Sequence, residues 1–212
     1  MLGWVRWSGA GKSEIRWERP AGLPLLTLYL PEGRRAEERR VRRGARRLLR
    51  QGVTRVLAPD GFAWWPILTE QGLRPVSTRA LRCALTPDWV GAALAAQDIA
   101  PARAVLRLTG VPEGGDMERT ARALCPLVRN LAVDAPGGAA LAARLRREYG
   151  LPVLPALTAA DLTLHFQNGP VLTGARYRLK NVPLPPDCEI LPLLSALWEC
   201  GRVKTEDILL EV

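Results

Sequence analysis

The chain has 212 residues, of which 48% are hydrophobic and 24% charged, values that exclude a disordered, collagen-like or mucin-like protein. A fold of this length buries about 70% of its unfolded surface, enough for one large domain or two small ones. The net charge of +9 is uneven: residues 1–58 carry 14 basic and 5 acidic side chains, and residues 59–212 carry 16 of each.

Because the excess falls mostly between Arg34 and Arg55, overall basicity is no argument for a nucleic-acid partner. The dominance of arginine over lysine reads as GC-rich codon usage. Charge-free runs such as 20–31 and 149–160 fall short of the roughly 18 apolar residues of a membrane span. The opening MLGWVRWSGAGK has no apolar core backed by a cleavage site, so a cytoplasmic location is expected.

Residues 4–7 and 14–17 are short β-favouring runs flanking SGAGKS, and pairing them would gather Val5, Trp7, Ile15 and Trp17 on one apolar side. The expectation is an N-terminal β-hairpin with a six-residue loop. SGAGKS also resembles the end of a phosphate-binding loop, but Arg6 stands where the first glycine belongs and a strand, not a helix, follows. Alternation then begins: a buried strand at 23–30, a helix from about 35 to 51 stopped at Gly52, a strand at 53–58, and a short helix at 65–71 with Asp60 as its cap. A strand at 73–77 and a helix at 86–97 complete this half.

The second half repeats the rhythm with strands at 104–109 and 130–134 and helices at 116–124 and 139–149. Strands at 152–157 and 162–166 follow, then an edge strand at 175–180 and an apolar helix at 189–200. The fold class expected is α/β, a parallel sheet flanked by helices with a Rossmann-like second half. The organisation expected is a hairpin over 1–20, an α/β half over 21–100 and a Rossmann-like half with its C-terminal helix over 101–212. Whether the halves share one sheet is left open by the pattern.

Chemistry-bearing residues are sparse. Cys83, Cys125, Cys188 and Cys200 are 42, 63 and 12 residues apart, without a CxxC and with one histidine in the chain, so no metal site is expected and the cysteines read as small hydrophobes. None of Ser8, Ser13, Ser77 and Ser195 lies in a GxSxG turn. On the helix at 35–51, Val41, Ala45, Leu48 and Leu49 gather opposite Arg39, Arg42, Arg43, Arg46 and Arg50. The arginine face reads first as the solvated side of a covering helix, and alternatively as a grip on nucleic-acid phosphates. Trp64, Trp65, Trp89 and Trp198 read as core packing. His165, near the carboxyl end of a strand, is the one candidate general acid or base, although no neighbouring carboxylate orients it.

Residues 104–166 run strand AVLRLTG, a loop with Gly114 and Gly115, helix ERTARALCPLV, strand RNLAVDAP, helix GAALAARLRREYG, then two further strands. This order resembles a dinucleotide-binding Rossmann domain, most of all the cofactor domains of shikimate dehydrogenase and glutamyl-tRNA reductase relatives. The resemblance implies NAD(P) as cofactor, Gly110 and Gly115 as the first and third glycines of the phosphate loop, and Asp134, 24 residues beyond Gly110, as the acid that holds the adenosine ribose. Pro112 departs from it, putting a ring and no N–H where bare backbone should meet the pyrophosphate. The lysine and aspartate of shikimate dehydrogenase do not carry over, since no lysine occurs between Lys12 and Lys180. The reading preferred is a non-catalytic binding or interaction module on a degenerate Rossmann layout, with an NAD(P)-dependent oxidoreductase as the rival and a protein as the expected partner.

Overall fold

The computed structural model describes residues 1–9, 11–32, 37–150 and 152–212, so the start of the arginine helix expected at 35 lies outside the described residues. The chain is α/β and divides into two compact units, residues 1–78 with 178–208 and residues 79–177 with 209–212. Each unit has its own five-stranded sheet. Among the described residues no helix is long and apolar enough to cross a membrane.

The first unit contains β1 (Leu2–Ser8), β2 (Glu14–Glu18), β3 (Leu25–Pro31), α1 (Glu37–Arg50), β4 (Arg55–Leu57), α2 (Trp65–Glu70) and β5 (Arg74–Pro75). Its sheet order is β2-β3-β1-β4-β5, parallel except for β2. The N-terminal region does contain an antiparallel hairpin, but it is β2 with β3; the expected pairing of residues 4–7 with 14–17 does not form, because β3 inserts between β1 and β2. Sequence character explains the placement: β1 buries Leu2, Trp4 and Val5 and takes the centre, whereas β2 (EIRWE), mostly exposed, takes the edge, where charge discourages further pairing.

One face of this sheet packs Val5, Leu26, Leu28 and Val56 against Val41, Ala45 and Leu48 of α1. On β2 and β3, Glu18 accepts hydrogen bonds from Tyr29 and from the buried Thr27 hydroxyl, the latter at 2.8 Å. Arg6 stacks 4.4 Å from the centre of the Trp4 ring and pairs with Asp187 at 2.5 Å. The N-cap of α2 is Trp64, which makes no side-chain cap, so the cap expected from Asp60 does not form; Pro66 in the first turn pre-sets the helical φ instead.

The second unit opens with α3 (Arg79–Ala95), which starts seven residues before the expected helix and runs through Pro87. Then come β6 (Val105–Val111), α4 (Asp116–Leu124), β7 (Asn130–Asp134), α5 (Gly138–Tyr149), β8 (Val153–Leu154), β9 (Leu162–Gln167) and β10 (Pro170–Val171). The sheet order is β10-β9-β6-β7-β8, parallel apart from β10. Counted within the unit and read from the other edge, this is 3-2-1-4-5, the Rossmann-like order, with its switch point between β6 and β9. Residues 176–179, expected at a sheet edge, form β11 (Arg176–Leu179). Helix α6 (Ile190–Glu199) buries Leu193, Leu194 and Leu197, and β12 (Ile208–Glu211) pairs with β11 as a separate two-stranded sheet.

Candidate functional site

Sheet register brings two of the sequence candidates into line. Thr109 on β6 is paired with Asp134 on β7 and with His165 on β9. Registered neighbours in a parallel sheet point to one side, and strands lie about 4.8 Å apart, so His165, Thr109 and Asp134 form one row about 10 Å long. Asp134 and His165 are exposed and Thr109 is half-buried. Two residues earlier on β6, the Arg107 guanidinium donates to the Thr158 carbonyl, which lays the 155–161 loop against that lower level. A relay needs base and carboxylate within hydrogen-bond reach, and Thr109 stands between these two, so His165 and Asp134 do not form an acid–base dyad.

The glycine loop follows on β6. Open α/β sheets hold ligands in the crevice outside the carboxyl ends of the strands at the switch point. Here β6 and β9 stay in register past the Thr109 level, through Gly110 with Phe166 and Val111 with Gln167. Gly110 has φ +103°, and a Cβ on it would lie 2.4 Å from the Phe166 carbonyl oxygen. This glycine therefore serves the approach of two strands.

Gly115 (φ +78°) is the N-cap of α4 and offers no side-chain cap. A helix start favours negative charge, and the carboxylate nearest to it is the protein's own. Asp116, fully buried in the first turn, accepts hydrogen bonds from Arg79 Nε and Arg119 Nη2. Arg79 also donates to the Glu113 carbonyl and pairs with the Glu113 carboxylate at 3.3 Å, and its Nη2 is 2.7 Å from where a Gly114 Cβ would stand. Sequence reasoning missed Arg79 and Asp116: an acid at a helix start is ordinary, and nothing local ties it to an arginine 37 residues earlier. Beside the loop, Pro112, Gly115, Pro136, Gly137 and Arg144 line a shallow cleft of about 290 Å³.

The first unit carries a different hollow, about 520 Å³, near the carboxyl end of β4. Asp60, Thr78, Pro186, Cys188 and Glu189 are among its lining. Burial pushes the Glu189 carboxyl above the usual range, and nearby Asp60 adds to it. Burial, with Asp187 and Glu189 beside it, pushes the Cys188 thiol up to about 12. SGAGKS leads from strand β1 into strand β2 and so does not open a helix as a phosphate-binding loop does. All four cysteines are free, and among the described residues no group of three or more His, Cys, Asp or Glu side chains is placed to hold a metal ion. No protein-family model matches the chain, and a search of curated proteins finds no match.

Proposed function

We propose that this chain is a non-catalytic binding or interaction module of the cytoplasm, built on a Rossmann-like layout whose dinucleotide position is closed by the protein itself. The observation that carries the reading is the β6–β9 pairing through Val111 and Gln167, which occupies the switch point where a ligand would enter. Two further features support it. Arg79 and Asp116 neutralise each other at the start of α4, and Pro112 withholds an N–H from the loop. The exposed strip of His165, Thr109 and Asp134 offers hydrogen-bonding groups to a protein partner.

Calorimetry with NAD, NADP and their reduced forms tests the reading. The expected outcome is no binding tighter than about millimolar, equivalent to about 4 kcal/mol. A micromolar constant abolished by Asp134→Ala would replace the module with an NAD(P)-dependent oxidoreductase that uses an atypical glycine loop.

A further inference from the structure

Helix α1 presents a face whose chemistry no reading of the second unit uses. Arg39, Arg42, Arg43, Arg46, Arg47 and Arg50 line a single hollow of about 320 Å³. Among the described residues, Arg42 alone of these is paired with acids, Glu38 and Glu70, each at 3.2 Å. Arg46 Nε donates to the Gln71 amide oxygen at 2.9 Å, and Arg47 Nη1 to the Ser13 carbonyl at 3.3 Å, neutral partners that leave the positive charge in place. Among the described residues, no carboxylate pairs with Arg39, Arg43, Arg46, Arg47 or Arg50. One acid at i,i+4 spacing, Glu38, offsets the charge at Arg42, and the other arginines of the face repel one another.

We infer that this arginine face binds the phosphate backbone of double-stranded nucleic acid without reading its sequence. Arg39, Arg43, Arg46 and Arg50 lie along one stripe, separated along the helix axis by about 6, 4.5 and 6 Å at 1.5 Å per residue. The stripe is about 16 Å long, and one strand of a duplex offers about five phosphates over that axial distance at 3.4 Å each. Guanidinium forks suit phosphate oxygens bidentately. The hollow contains no aromatic side chain, so single strands lose the stacking platform that normally holds their bases. An anionic membrane suits the face less well, because Val41, Ala45 and Leu48, the apolar side an interfacial helix would insert, are already buried in the first unit.

The test is fluorescence anisotropy on the full chain with labelled duplexes of two unrelated sequences, from about 50 to 200 mM salt. Four phosphate contacts predict a log–log salt slope near −3.6, a loss of roughly a hundredfold in affinity across that range. Both duplexes bind equally, and changing Arg39, Arg43, Arg46 and Arg50 together to Gln abolishes binding. The same four changed to Lys retain most of it, and circular dichroism of both variants matches the wild type. Absence of binding at the lowest salt, or binding unchanged in the folded Gln variant, would overturn the inference. Tighter capture by vesicles containing phosphatidylserine than by duplex would overturn it in favour of a membrane surface. None of these outcomes depends on how the second unit treats dinucleotides.

Discussion

Gly110 and Phe166 lie opposite each other at the end of the β6–β9 ladder, so close that any β-carbon on the glycine would collide with the phenylalanine carbonyl. Gly115, five residues on, also has positive φ, yet nothing lies within 4 Å of where its Cβ would be. The two glycines that a cofactor motif would treat alike therefore do different work.

Substitution separates them. Gly110→Ala combines an unfavourable φ with a backbone clash and is expected to destabilise by about 3 kcal/mol or more. Gly115→Ala meets only the left-handed penalty, about 1 kcal/mol. Urea melts of both variants check the ranking, and equal losses would contradict the close-approach role of Gly110.

Asp116 is fully buried between Arg79, one-quarter exposed, and Arg119, two-thirds exposed. Removing the carboxylate takes the buried partner from both arginines while Arg79 keeps Glu113, so Asp116→Ala should cost about 2 kcal/mol. Arg119→Ala should cost less than about 1 kcal/mol, since its charge is already solvated. Thermal denaturation of the two variants distinguishes a structural ion cluster from an incidental one.

Burial pushes the Glu18 carboxyl up, and hydrogen bonds from Tyr29 and Thr27 with the charge of Arg6 outweigh it, leaving Glu18 below the usual carboxylate range. A depressed folded value adds stability that is present above the unfolded value near 4.5 and is lost as pH falls through the folded one. Glu18→Gln is expected to cost about 1 kcal/mol at pH 7, the difference between charged and neutral acceptors. The gap to wild type should close on acidification below that window, as read from melting temperatures across pH 3 to 7.

The four thiols should react at very different rates. Cys200 is exposed, Cys83 and Cys125 are half-buried with thiols pushed up by burial, and Cys188 is 5% exposed with its thiol near 12. Because the thiolate is the nucleophile, a disulfide reagent at pH 8 should modify Cys200 first and leave Cys188 untouched until denaturant is added. Mass mapping of the modified sites checks the order.

Much of the fold was readable from periodicity. The strand at 130–134 and the helix ending at Tyr149 before Gly150 match their expected positions within a residue, since apolar spacing and a glycine stop are local signals. The partner of β2 was not readable this way, because pairing depends on which strand is buried on both sides, a property of the assembled sheet. Helix α3 is legible only in its second part, because a proline at 87 reads as a helix start, whereas here it lies inside a helix that begins at Arg79. At the candidate site, His165 is legible from its strand end and Asp134 from the resemblance to a dinucleotide-binding domain, and register sets them in one row with Thr109 between them. The Arg79–Asp116 pair lay beyond any local pattern.

The first unit is discontinuous in the chain. Its opening 78 residues include the whole of its five-stranded sheet, while Ser195, whose hydroxyl donates to the Ser77 carbonyl, and Glu199, which pairs with Arg55, arrive only with α6. All of residues 79–177 must leave the ribosome before those bonds can form. Residues 1–78 therefore emerge before residues 79–177 and are completed after them, against the usual N-terminal-first order of assembly, and a nascent chain halted after residue 177 carries a first unit still lacking α6.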